Sequence, residues 1–303
     1  MRRPLAALFA CSMVAACGGE GTPSGSIGAP PPPAATNYSL RFYGTGSGGI
    51  DRVQIPLLDP SGTSRPVNIG NIAAAGVGAG DFTIEFWIKG STLDNPSAPC
   101  TPGQTGNHYW SNGAVIIDRD VRSGADFGAY GAALFGGRVA FGVSRGSGGQ
   151  TLCGVQNVLD GNWHHVALTR QFNSGAMKIF VDGAVDSATM DTSAGGDVSY
   201  NPAHPNPDAN DAFLVLGAEK YDVGLAFNGF LDELRISTNL RYLSTFTPPT
   251  AEFSADTATA ALYHFDEPSG TAVLDSSTGG ASPGFLLPAA SGAASNRSTD
   301  TPF

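Results

Sequence analysis

The feature that most restricts the fold of this chain is a recurring pattern of short segments with an apolar residue at every second position. Each segment is closed by Gly, Pro, Asn or Asp. Between Phe82 and Lys89, residues Phe82, Ile84, Phe86 and Ile88 fall on one face and Thr83, Glu85, Trp87 and Lys89 on the other. A helix would scatter both sets around its axis. The pattern returns in Val139, Phe141 and Val143, where small residues alternate with the apolar ones and would let another layer approach closely. It returns again in His165–Thr169 and in Met177–Val181, which runs into an Asp182-Gly183 hairpin turn. About a dozen such strands can be counted, and no long helical stripe interrupts them. With 41 Gly, 21 Pro and only 14% charged residues, the composition suits turns and sheets. The expectation is an all-β, antiparallel two-sheet sandwich.

The N-terminus reads differently. Arg2 and Arg3 precede an apolar run from Leu5 to Ala16, too short to span a bilayer as a mature helix, so residues 1–16 read as a signal peptide. The run ends in Val14-Ala15-Ala16-Cys17-Gly18, which resembles the lipobox of bacterial lipoproteins and implies a diacylated Cys17. Ordinary cleavage after Ala16, with Cys17 incidental, is the competing reading. Residues 17–37 are rich in Gly, Ser, Ala and Pro, with four consecutive prolines, a composition for a tether rather than a core. Together these place the protein in the bacterial cell envelope, lipid-anchored at the outer membrane or cell surface. Of the four cysteines, Cys11 lies in the signal and Cys17 is assigned to lipid, leaving Cys100 and Cys153 as an expected disulfide in an exported protein. A net charge of −10 without a Lys/Arg cluster argues against nucleic acid as a partner.

Trp163-His164-His165-Val166-Ala167, then Lys178–Gly183, then Gly229–Ile236 resemble, in order and spacing, the laminin-G-like/pentraxin branch of the concanavalin A-like jelly rolls. Ser39–Gly44 with Val53–Pro56 resembles that family's first hairpin. The resemblance implies one jelly-roll domain over residues 38–290, with 291–303 as a disordered tail. Leu262–Glu267 is similar to a segment that often begins such domains, and reads here as a relocated terminal strand.

The resemblance also frames the function. The superfamily includes laminarinase-type glycoside hydrolases, whose retaining members need two carboxylates about 5–5.5 Å apart. No Glu-x-Asp-x-Glu strand occurs in this sequence; Asp118 and Asp120 share a face at roughly 7 Å, but Arg119 and Arg122 beside them suggest a solvated turn. The reading is therefore a non-catalytic, lectin-like module that binds a glycan or an envelope or extracellular protein, with a divergent hydrolase or an adhesion scaffold as alternatives. Trp87, opposite the core face of its strand, and His108, Tyr109 and Trp110 are the candidate ligand contacts, because aromatic faces stack on sugars or anchor protein partners. Packing under a loop would explain them equally well. His164 and His165 read as structural. The resemblance further implies a Ca²⁺ ion, with Asp232 and Asp51 as ligand candidates: strict alternation puts Asp232 on one face with Phe230, Leu234 and Ile236, where a carboxylate needs a partner.

Overall fold

A computed structural model of the chain describes residues 36–44, 50–71, 80–106, 108–121, 128–145, 148–203, 208–289 and 296–303. The expected signal peptide, Cys17 and the expected tether up to residue 35 lie outside the described residues. Eighteen strands, numbered in chain order, form two sheets among them.

The first sheet runs β11 (Ala184–Met190), β10 (Ala176–Val181), β9 (His164–Arg170), β3 (Phe82–Gly90), β14 (Asn228–Ser237), β1 (Ser39–Tyr43) and β18 (Arg297–Ser298). β15 (Thr259–Tyr263) also pairs with β14, along Leu234–Ser237, whereas β1 takes Asn228–Leu231. The 262–267 segment thus begins on a strand of this sheet, as its relocation implies. The second sheet runs β16 (Ala272–Val273), β17 (Gly284–Leu287), β2 (Arg52–Pro56), β12 (Phe213–Leu216), β5 (Ala114–Arg119), β6 (Ala129–Phe135), β7 (Arg138–Arg145), β8 (Gly148–Asn157) and β4 (Gly103–Thr105), with the short β13 (Leu225–Ala226) parallel to β5.

Alternation decides what lies between the sheets. Phe82, Ile84, Phe86 and Ile88 of β3, Val166 and Leu168 of β9, and Met177, Ile179 and Val181 of β10 all enter the core, facing Val139, Phe141 and Val143 of β7. At the β10–β11 hairpin, Asp182 and Gly183 both take positive φ, 49° and 78°, as the expected Asp-Gly turn requires.

The centre of the outer face of the first sheet is covered. Glu85 is fully buried there, accepting hydrogen bonds from Arg235 Nε (2.9 Å) and Tyr242 Oη (2.7 Å), with His165 Nε2 at 3.3 Å. The segment after β14 covers this cluster, its Tyr242 and Phe246 rings stacked at 3.5 Å. His165 is structural, as expected; a buried carboxylate is tolerable because a guanidinium and a phenol satisfy it.

Two expectations fail in this sheet. The alternation through Asp232 is broken by a bulge between Asp232 and Arg235, where Glu233 takes φ 51°. Leu231, Leu234 and Ile236 therefore face the core, while Phe230, Asp232 and Arg235 sit opposite Lys89, Trp87 and Glu85 on the outer face. Residues 296–303, expected as part of a disordered tail, are held in place: Arg297–Ser298 form β18, and Asp300 accepts from Lys89 Nζ (2.7 Å) and Trp163 Nε1 (2.9 Å). Residues 291–295 lie outside the described set.

Candidate functional site

On the outer face of the second sheet two glycines meet. Gly131 of β6 and Gly142 of β7 are direct cross-strand partners, and a Cβ on either would come within 2.2 and 1.8 Å of the Trp110 ring. The bare backbone thus forms a slot, and the 3-10 turn Tyr109–Asn112 lays Trp110 into it, fully buried. Around Trp110 lie Val115, Ala133, Phe135, Ala140 and the Cys100–Cys153 disulfide, a second apolar cluster separate from the main core. The disulfide joins residues whose Cα atoms are 6.1 Å apart and ties the loop after β3 to β8, as the cysteine count leads one to expect.

Beside this cluster the turn and the loop after β12 enclose a cavity of about 270 Å³ lined by Ser111, Asn112, Asp120, Glu219, Tyr221, Val223 and Gly224. Its two sides are tied together by Asp118, which pairs with Gly131 and so shares the Trp110 face. Asp118 is fully buried rather than in a solvated turn. Its two oxygens accept the Asp120 amide (2.7 Å) and the Lys220 amide (2.7 Å), fixing both walls. Lys220, buried behind the cavity, donates Nζ to the carbonyls of Asp120 and Phe213 at 2.7 Å; desolvation lowers its pKa to about 8.

Two carboxylates reach the cavity. Glu219 is 6% exposed, and its Oε2 accepts the amides of Tyr221 (2.9 Å) and Val223 (3.0 Å), folding the loop back on itself. Asp120 Oδ1 accepts the Val121 amide (2.8 Å) and lies 3.5 Å from His108 Nδ1. Burial, reinforced by the charge of Asp118, pushes both carboxyls above their ordinary range.

The four aromatic and histidine candidates therefore hold unequal positions. Trp110 is corrected from ligand contact to scaffold, because a fully buried ring cannot stack on a ligand. Tyr109 is half-buried and stacks on Phe135 at 5.2 Å; His108, at φ 53°, bonds Ser144 Oγ through Nε2 (2.9 Å) and flanks the cavity through Asp120. Trp87 is distant in the fold, on the first sheet, half-buried edge-on between His165 and Phe303. Sequence reasoning missed Ser111, Asn112, Glu219, Tyr221 and Val223; the available signal was a Glu-x-Tyr-x-Val loop directly after a core strand.

The two carboxylates considered for calcium do not form one site. Asp51 is held as an amide acceptor, by Tyr43 (2.8 Å) through Oδ2 and by Ala289 (2.6 Å) through Oδ1. Tyr43 pairs with Asn228, four positions before Asp232 on β14, or roughly 13 Å along the strand. Asp232 Oδ1 accepts the Glu233 amide (2.9 Å), while Oδ2 is buried with no partner. Among the described residues no group of three or more His, Cys, Asp or Glu side chains is placed to hold a metal ion.

The family model for the concanavalin A-like lectin/glucanases superfamily, laminin-G type, matches residues 61–243. Calsyntenin-3 of Danio rerio is 26% identical over 194 residues, which are 62% of this chain and 18% of that protein. A Rattus norvegicus protein with sushi, von Willebrand factor type A, EGF and pentraxin domains is 27% identical over 147 residues, 48% of this chain and 3% of that protein. The chain thus spans less than a fifth of either relative. Among solved structures, a proposed carbohydrate-binding protein of Bacteroides ovatus aligns over 85% of this chain and 60% of its own, at 16% identity and a TM-score of 0.46. With its core strands, hairpin and family match in agreement, this chain belongs to the laminin-G-type concanavalin A-like lectin/glucanase superfamily.

Proposed function

We propose that the protein is a non-catalytic binding module that takes one sugar residue of a glycan in the cavity between the 109–112 turn and the 217–224 loop. The observation that carries this is the lining: Ser111, Asn112, Asp120, Glu219 and Tyr221 converge on about 270 Å³, held by the Asp118 bonds to the Asp120 and Lys220 amides. That volume lies just below the ~300–1,000 Å³ typical of small-molecule sites, so a monosaccharide rather than a long chain would fill it. Val223, 78% exposed at the rim, and Tyr221 supply apolar surface. A glycan array should give saturable binding that Val223→Trp abolishes by blocking the mouth. Capture of a single envelope protein, insensitive to free sugars, would instead favour an adhesion scaffold.

Two carboxylates in one cavity also invite a glycosidase reading. Hydrolysis needs one carboxyl kept protonated and its partner kept ionised. Asp120 and Glu219 are both shifted upward, by burial in each case, so the environment does not divide the roles.

The N-terminal sequence supports display from a membrane through lipid on Cys17, with residues 18–37 as the tether. Cys17→Ser should release the protein from the membrane fraction; retention after carbonate extraction would refute the anchor.

A further inference from the structure

The cavity has an unusual hydrogen-bond inventory. Each side-chain donor group that lines it already has one acceptor within the protein. Ser111 Oγ donates to the His108 carbonyl (2.9 Å), Asn112 Nδ2 to the Tyr109 carbonyl (3.0 Å), and Tyr221 Oη to Asp211. What remains among the described residues is mostly acceptor: no described donor is bonded to Asp120 Oδ2, to Glu219 Oε1 or to the Asn112 side-chain oxygen, against one further N–H of the Asn112 amide. The residues that set the charge around it are equally lopsided. Lys220 lies behind Asp118 and points its ammonium at two backbone carbonyls, and Arg119 directs its guanidinium to the carbonyls of Gly128 and Val198. Asp118 and Asp211 both offset the Lys220 charge. Of the two cavity carboxylates His108 approaches Asp120, and among the described residues no cation is ion-paired with Glu219, which is 6% exposed.

An ammonium group carries three donors and no acceptor. It is the one common glycan substituent that would answer such a set and also separate two desolvated carboxylates electrostatically. A neutral sugar hydroxyl offers a single donor and brings lone pairs into the same acceptor-rich space, and a carboxylated or sulfated sugar adds a third negative charge. We infer that the cavity selects a sugar bearing a free amine, a 2-amino-2-deoxy hexose being the simplest, over its N-acetylated and acidic counterparts. The inference rests on the carbohydrate reading of the same cavity and narrows it to a ligand class.

The test compares de-N-acetylated with N-acetylated glucosamine disaccharides by calorimetric titration at pH 6.5, with butylammonium as a cation lacking a ring. The de-N-acetylated sugar should bind about tenfold or more tightly than the acetylated one. Glu219→Gln and Asp120→Asn should each bring that ratio towards one, with unfolding midpoints measured alongside. Val223→Trp, at an exposed rim position that demands no repacking, should abolish binding of both sugars. Equal affinity of wild type for the two sugars, lost in Val223→Trp, would overturn the amine selectivity and leave the carbohydrate reading standing. Butylammonium binding as tightly as the amino sugar would overturn the sugar identity, and no binding of any disaccharide would overturn the carbohydrate reading itself.

Discussion

Asp232 provides the most direct test of the energetics. Its carboxyl is fully buried on the outer face of the first sheet, with one oxygen accepting the Glu233 amide and the other unpartnered. Desolvation, with the neighbouring Glu233, raises its pKa to about 9. In the unfolded chain the group titrates near its model value of 3.8. Between these values the folded state holds a proton that the unfolded state has released, so stability falls as pH rises, by about 1.4 kcal/mol per pH unit. The penalty is absent below pH 4 and complete above pH 9; at pH 7 it amounts to about 4 kcal/mol. Asp232→Asn keeps the shape and an acceptor for the Glu233 amide but removes the titration. Urea unfolding of both proteins across pH 4.5–8.5 should give a stability difference that grows steadily in favour of the variant, approaching the full linkage slope. A difference that stays flat across that window would refute the buried, protonated carboxyl and imply a counter-charge on Asp232.

Other expectations follow from the second sheet. Trp110→Ala should destabilise by about 3–5 kcal/mol, the range for losing a buried Trp, and Gly142→Ala should do comparable damage by evicting the ring from its slot; an unchanged denaturant midpoint in Gly142→Ala would contradict the close approach. Replacing Cys100 and Cys153 together by Ser reopens a link across 53 positions and should remove about 3–4 kcal/mol by chain entropy, while alkylation of the intact protein should find neither thiol. Amino-sugar affinity should weaken as pH falls into the raised range of Asp120 and Glu219, because only the ionised carboxylates attract the amine. A protonated His108 beside Asp120 would work in the same direction, whereas Lys220, lowered to about 8, keeps its charge below neutrality; a pH-independent affinity between 4 and 7 would count against the carboxylates.

The sequence carried the sandwich because the main strands obey strict alternation, and Phe82–Lys89 or Met177–Val181 could be assigned to their faces residue by residue. It failed at Asp232 because a Glu in the left-handed region leaves no compositional trace; a Gly at that place would have announced the bulge. It misjudged Trp110 for a related reason. The small residues in β7 did signal a close approach, but nothing local says that the approaching group is a tryptophan of the same chain. The cavity was only half legible. Its turn side lay next to the aromatic triplet that drew attention, whereas Glu219 and Tyr221 come from a loop more than a hundred positions away, brought in by the register of β12 on β5.

The seating of β1 has a consequence for how the chain acquires its structure. Its neighbours are β14 and β18, and Ser39 Oγ donates to the carbonyl of Asp300, 261 positions away. β2 likewise pairs with β17 and β12. The earliest strands to emerge during synthesis therefore have no partners until most of the domain has followed. Leu40, Phe42, Val53 and Ile55, all destined for the core, wait in water meanwhile. Pairings of such long sequence separation are reached slowly, on the scale of milliseconds to seconds. The topology thus defers closure of both sheets until the C-terminal strands are present, so loss of β17 or β18 would leave β2 or β1 short of a partner.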